Sequence, residues 1–165
     1  MNFREIIYIL FEPPAAAWRI VMTRREAREA VLELLYEKAS RPDDDAAEIY
    51  ENAAEIRETE ENDYIKKVYF GVNENLDAID EKIKTASLEW STERMSRVTI
   101  SVLRLAVYEF YFIRNIPVNV SINEAVELAK KYDTTGAPSF INGILSKIGK
   151  DTAIEKDAYP KKNRK

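Results

Sequence analysis

One apolar stretch, from Val98 to Ile113, constrains this chain more than any other feature. Apolar side chains occupy most of its positions, so in a helix they would cover most of the circumference. Its length favours a helix over a buried strand. A helix that is apolar on nearly all sides has to be surrounded by other elements. We therefore predict a central helix that ends before Pro117.

Helical spacing also marks the region before this stretch. Thr23 and Glu26 have the spacing of a capping box, which predicts the start of a first helix. Pro42 and the acidic run after it are expected to end this helix, and a short helix through Ile49 and Ile56 is expected to follow. The apolar face of the first helix recurs at steps of three and four. Its members are Ala27, Ala30, Val31, Leu34 and Leu35.

Three further helices follow from the same spacing. We predict one long helix over Tyr64–Ile83 and a second capping box at Ser121 and Glu124. The last helix is predicted to begin near Pro138 and to end at Gly149. No segment alternates with a period of two over a strand's length, and no internal repeat is visible. The sequence therefore predicts an all-α fold of six or seven helices.

Composition restricts the chemistry that the chain can perform. It contains no histidine and no cysteine, which excludes disulfides, zinc sites with sulfur or imidazole ligands, and the usual activated nucleophiles. Its four glycines form no phosphate-binding loop. No apolar run reaches the about 18 residues that a membrane span requires. We expect no enzymatic activity, no cofactor, no metal and no membrane partner.

Charge is distributed unevenly along the chain. Residues 41–93 carry six basic and sixteen acidic side chains, a net charge of −10, whereas residues 94–165 carry thirteen basic and seven acidic ones, a net charge of +6. A basic face can meet a polyanion while the acidic part keeps the protein soluble. The alternative is that a helical protein simply carries solvated, charged faces.

Several segments, taken in order, have a recognisable pattern. They read RREAREA at 24–30, W at 90 with RM at 94–95, VTISVLRLAVYE at 98–109, IPV at 116–118, SINEAVELAKKY at 121–132 and SFINGIL at 139–145. Together these segments closely resemble the NusB family of transcription antitermination factors, over about Thr23 to Ile148. The resemblance implies an all-α protein in which two small helical bundles are joined by the central helix.

The resemblance also implies a function. Members of the family bind boxA, a short single-stranded element of ribosomal RNA leader transcripts, usually together with NusE, a protein of the small ribosomal subunit. The complex joins the RNA polymerase antitermination assembly with other Nus factors and promotes processive transcription of ribosomal RNA. A cytoplasmic location is implied, and the pattern also admits a homodimer.

Carried over by position, the resemblance implies four RNA-binding residues, namely Arg24, Arg25, Arg28 and Phe140. Arginine pairs bidentately with phosphate, and an aromatic ring can stack on unpaired bases. Each has an alternative interpretation. Arginines in a first helical turn can be merely solvated, and the spacing of Phe140 with Ile144 and Ile148 is that of a core stripe.

A partner-binding surface is implied as well, with Tyr36 and Glu93 facing NusE. Glu26 departs from the pattern, because relatives can carry arginine there and a carboxylate repels phosphate. We therefore expect weak binding to RNA alone and cooperative binding with the partner.

The resemblance divides the chain into three segments: residues 1–21 as an extension outside it, 22–150 as the helical RNA-binding domain, and 151–165 as a basic tail. The alternative function is a helical module for protein interaction or dimerisation without an RNA role of its own. A NusB-like domain of an RNA methyltransferase belongs to the same alternative.

Overall fold

The computed structural model describes residues 22–57, 62–87 and 95–157. This part of the chain contains seven helices and no strand, which confirms the predicted all-α fold. The helices are α1 (Arg24–Ser40), α2 (Ala46–Arg57), α3 (Asp63–Glu74), α4 (Leu76–Ser87), α5 (Arg97–Phe112), α6 (Val118–Tyr132) and α7 (Ala137–Asp157).

Helix α5 is the central helix that the apolar stretch predicts. It packs against α1, α3, α4, α6 and α7. Its fully buried side chains include Val102, Leu103, Ala106, Val107 and Phe110. On one side of α5, α1 packs against α2 and α3, and on the other side α7 packs against α4 and α6. This is the predicted arrangement of two small helical groups joined along one central helix.

Helix α1 begins as the sequence predicts. The Thr23 backbone N–H donates to Glu26 Oε2 at 2.7 Å, and the Glu26 backbone N–H donates to Thr23 Oγ1 at 3.2 Å. The two residues thus form a complete capping box. The predicted apolar face of α1 is buried along its whole length.

Two of the predicted helix boundaries are wrong. Tyr64–Ile83 forms two helices, because Asn75 ends α3 by donating from its backbone and its side chain to the Gly71 carbonyl, at 3.1 and 2.8 Å. Ser121 is not a helix cap, since α6 begins earlier, at Val118. The Ser121 hydroxyl instead lies in the interior.

The predicted end of the last helix is also wrong, since α7 continues past Gly149 to Asp157. Gly149 allows α7 to pack closely against α6 and does not end the helix. A Cβ atom built on Gly149 would lie 2.7 Å from Val118 Cγ1, so the glycine lets α7 approach the first turn of α6. Within the described ranges, no helix combines the length and the apolar character needed to cross a membrane.

Candidate nucleic-acid interface

The start of α1 presents two exposed arginines, Arg24 and Arg25. Glu26 lies beside them, but its carboxylate is held by Thr23, which lowers the pKa of Glu26 by hydrogen bonding from the backbone and the side chain. The first turn therefore carries two cations and one fixed anion. Its exposed N–H groups also favour anions.

Arg24 lies over an aromatic ring. Its guanidinium carbon is 4.2 Å from the centroid of the Tyr64 ring, a cation–π contact. Met22, Asn62 and Asp63 line the same shallow groove. This contact holds the Arg24 guanidinium against the Tyr64 ring at the edge of the groove.

Arg25 forms an ion pair with Glu124 of α6. Its Nε and Nη2 donate to Oε2 and Oε1 at 3.1 and 2.9 Å, a bidentate contact. The Arg25 side chain is 59% exposed and that of Glu124 is 18% exposed. Hydrogen bonding to Arg25 lowers the pKa of Glu124, and the same contact raises the pKa of Arg25. At neutral pH both groups are therefore charged.

Arg28 lies in the interior, with 4% of its surface exposed. Its Nε donates to Oε1 of Glu109 at 2.9 Å, and its Nη1 lies 3.5 Å from Oε2 of Glu124. Glu109 is fully buried and also accepts short hydrogen bonds from the hydroxyls of Tyr64 and Ser121. Burial raises the pKa of the Tyr64 hydroxyl. Arg28 therefore belongs to a buried network that joins α1, α3, α5 and α6.

A second ion pair links α1 to α6. Lys131 Nζ lies 2.8 Å from Oε2 of Glu29, and the Tyr132 hydroxyl donates to the same oxygen at 2.9 Å. Hydrogen bonding to Lys131 lowers the pKa of Glu29. Together with the Arg25–Glu124 pair, this contact fixes one face of α1 against α6.

Phe140 lies in the first turn of α7, half-buried and packed against the hydrophobic core. It follows the end of α6, whereas Arg25 contacts that helix at Glu124. Glu124 and Tyr132 are eight residues apart on α6, which is about 12 Å along the helix axis. In the chain, Phe140 thus follows the C-terminal end of α6, whereas Arg25 pairs with Glu124 near the middle of that helix.

The predicted partner-binding residues lie elsewhere. Tyr36 is on α1 and is 43% exposed, as much as Phe112 on α5. Glu93 lies outside the described residues, as do Trp90 and Arg94. Contact of Arg24, Arg25, Arg28 or Phe140 with RNA, and of Tyr36 or Glu93 with a protein, stays a prediction.

Sequence reasoning missed the acidic members of this surface and network. Arg28 stands three residues before Val31 and seven before Leu35, which places it on the apolar face of α1. Glu109 stands within the apolar stretch of α5. Two opposite charges on two buried faces are a signal that they pair. Nothing in the sequence relates Glu29 to Lys131, because that contact depends on how α1 and α6 pack.

The fold and this surface define a class of protein, an all-helical domain with one central helix and a charged surface shared by its first and sixth helices. A family model described as the NusB family matches residues 25–150. The chain belongs to the NusB family.

Curated relatives and solved structures agree with this assignment. The chain is 41% identical to a transcription antitermination protein NusB of Clostridium botulinum over 143 residues, which cover 77% of this chain and 99% of the relative. A NusB protein of Thermoanaerobacter is 41% identical over 136 residues, which cover 81% of this chain and 95% of the relative.

Among solved structures, T. maritima NusB is 36% identical, with a TM-score of 0.75 and coverage of 83% of this chain and 98% of that one. A complex of the antitermination factors NusB and NusE with dsRNA contains a chain that is 28% identical. The TM-score is 0.70, and the match covers 78% of this chain and 96% of that one.

Proposed function

We propose that this protein is a transcription antitermination factor that acts in the cytoplasm. It binds boxA-type single-stranded RNA of ribosomal RNA leader transcripts together with NusE, and it joins the RNA polymerase antitermination complex with other Nus factors. The observation that carries the proposal is the likeness in sequence and fold to the NusB chain of a complex with NusE and RNA. The role is binding, without catalysis.

The first turn of α1 supplies the electrostatic part of this proposed site. Arg24 and Arg25 are exposed, so phosphate can reach them without any change in the fold. Arg24 also offers a flat surface backed by Tyr64, on which an unpaired base can stack. Arg28 contributes indirectly, because its guanidinium is engaged by Glu109 in the interior.

Phe140 supplies an aromatic surface at a second point, near the end of α6. Recognition of single strands commonly combines a cationic track with separate stacking contacts, and these two points would supply one of each. Tyr36 is proposed as an exposed aromatic contact for NusE. Aromatic residues are enriched at the centres of protein interfaces.

The test is a titration of labelled single-stranded boxA RNA with the purified chain plus NusE, beside a scrambled RNA of equal length and composition. We expect tighter binding to boxA RNA and weaker binding when Arg24 and Arg25 are both alanine. If boxA and scrambled RNA bind equally at every salt concentration, the RNA role is wrong. Binding of NusE without any effect of RNA would favour a protein-interaction module instead.

A further inference from the structure

A series of side chains of alternating charge connects the core to the exposed Arg25. Buried Glu109 holds Arg28, Arg28 lies against Glu124, and Glu124 holds Arg25. The exposed fraction of the side chains increases along this series of ion pairs, from 0% for Glu109 to 59% for Arg25. The exposed guanidinium is therefore paired with a carboxylate that itself lies against the buried Arg28.

The contact between Glu124 and Arg25 leaves one side of the Arg25 guanidinium open. Glu124 engages Nε and Nη2 of Arg25, and Nη1 makes no hydrogen bond within the described part of the chain. A guanidinium can be held by a carboxylate on one edge while it donates to an anion on another, because it has five N–H donors in one plane.

We propose that Glu124 is a positioning residue for RNA binding, which fixes Arg25 so that its free edge meets a backbone phosphate. The inference rests on the proposed function and adds to it the role of an acidic residue on α6. A free arginine loses rotamer freedom when it binds, and this cost falls if an intramolecular contact has already ordered the side chain.

Simple electrostatics predicts the opposite effect. Removing a carboxylate near a polyanion should tighten binding, since like charges repel. The positioning role requires Glu124→Gln to weaken binding, because an amide can accept from one guanidinium N–H while its own NH₂ group opposes the other. Whether Glu124→Gln tightens or weakens RNA binding therefore distinguishes simple repulsion from the positioning role.

Glu127 provides the matched control. It lies on the same helix one turn further on and pairs with Lys130 at 2.7 Å, with both side chains about half exposed. Glu127→Gln removes the same charge from the same groove, but it removes no hydrogen bond to Arg25, which is bonded by Glu124. We expect Glu127→Gln to leave the affinity for boxA RNA unchanged or slightly higher, and Glu124→Gln to lower it by about two- to tenfold.

A double-mutant cycle assigns the effect to Arg25. In an Arg25→Ala background, Glu124→Gln should no longer weaken binding. Loss of one phosphate contact should also make the plot of log affinity against log salt shallower by about 0.7 in Glu124→Gln. Arg25→Lys keeps the charge on an exposed side chain but cannot be held at two points, so it should lose as much affinity as Glu124→Gln. It also serves as the test if Glu124→Gln unfolds.

The affinities of the full-length variants for labelled boxA RNA, with and without NusE, decide between the outcomes. If Glu124→Gln binds as tightly as Glu127→Gln, or more tightly, or if Arg25→Lys binds like wild type, the positioning role is overturned. The proposed function survives that result provided that wild type prefers boxA RNA and Arg25→Ala weakens binding. If wild type shows no preference for boxA RNA, both proposals are overturned.

Discussion

Among the described residues, Arg28 and Glu109 are the two charged ones that the fold removes most completely from water. Burying either charge alone would be costly, and the pair is tolerated because each charge neutralises the other. Hydrogen bonds from Tyr64 and Ser121 satisfy further lone pairs of the Glu109 carboxylate. Four helices thus depend on one carboxylate, which makes this residue more sensitive to substitution than any exposed ion pair.

We predict that Glu109→Gln destabilises the protein by about 3–5 kcal/mol, because it leaves the buried Arg28 charge with only the longer, 3.5 Å contact to Glu124. Asp80→Asn is the matched control, since Asp80 pairs with Arg104 at 2.8 Å but both side chains are partly exposed. That substitution should cost about 1 kcal/mol or less. Urea unfolding followed by circular dichroism measures both, and equal costs would contradict the prediction.

The site was predictable only in part at this scale. The arginines of α1 are visible in the sequence, but their different environments follow from the position of each on the helix. Arg28 falls on the apolar face and Arg25 does not, but Arg24 has the same spacing to Ala27 and Val31 as Arg28 has to Val31 and Leu35, and it is exposed. Periodicity therefore separates these arginines only in part. The pairing of Arg25 with Glu124 could not be predicted, because it depends on the packing of helices that are distant in sequence.

At the scale of the helices, periodicity predicted which segments are helical better than where they end. The central helix and the capping box of α1 were predictable because both depend on local residues. The break at Asn75 was missed because an asparagine side chain can end a helix without a proline or a glycine. The role of Gly149 depends on Val118, a contact that the sequence does not reveal.

Two glycines of α7 allow a direct test of this interpretation. A Cβ on Gly149 would lie 2.7 Å from Val118 Cγ1, whereas a Cβ on Gly143 would meet no atom within 4 Å. We predict that Gly143→Ala stabilises the protein by up to about 1 kcal/mol through helix propensity. Gly149→Ala should destabilise it by about 1–3 kcal/mol through overpacking.

Thermal unfolding of the two alanine variants gives the comparison, and Val118→Ala should recover part of the loss in Gly149→Ala. A stabilising Gly149→Ala would mean that α7 does not need this close approach to α6.

The attachment of α1 to α6 should depend on pH. The pKa values of Glu29 and Glu124 are lowered in the folded state by Lys131 and Arg25. Their contribution is therefore fully present above the unfolded pKa of about 4.3, and it is lost as the pH falls through the lowered folded values. We predict that Glu29→Gln is less stable than wild type at pH 7 and that the difference shrinks by pH 3.

Melting temperatures of both proteins between pH 7 and pH 3 check this dependence. Glu127→Gln is the control, since the exposed Glu127–Lys130 pair should contribute little at any pH. A difference between wild type and Glu29→Gln that is constant with pH would contradict the assignment.

At the scale of the whole molecule, the net charge of each segment overstates how many cationic side chains are free to bind a polyanion. Ion pairs between helices neutralise part of the basic charge. They include Arg25–Glu124, Arg28–Glu109, Arg104–Asp80 and Lys131–Glu29. The chain as a whole carries a net charge of −4. The free basic charge of the described part is therefore lower than the segment charges suggest, and its affinity for RNA alone should be modest.

We predict that RNA and NusE bind this protein cooperatively. Small basic footprints commonly give dissociation constants of about 10⁻⁴ to 10⁻⁶ M for non-specific nucleic acid at physiological salt. A partner that adds phosphate contacts of its own on a shared surface raises this affinity, and a coupling of about 1.4 kcal/mol gives a tenfold gain. Linkage requires that boxA RNA tighten the binding of NusE by the same factor.

Titrations of boxA RNA into the protein with and without saturating NusE measure the coupling, and titrations of NusE with and without saturating RNA must give the same factor. Glu26→Arg adds a cation where α1 begins, so it should tighten binding to RNA alone more than binding to the preformed pair. The half of the capping box that the Glu26 carboxylate makes would be lost, and melting experiments can separate this loss of stability from the gain in affinity. Equal RNA affinities with and without NusE would disprove the coupling, because the coupling free energy is defined by the ratio of those two affinities.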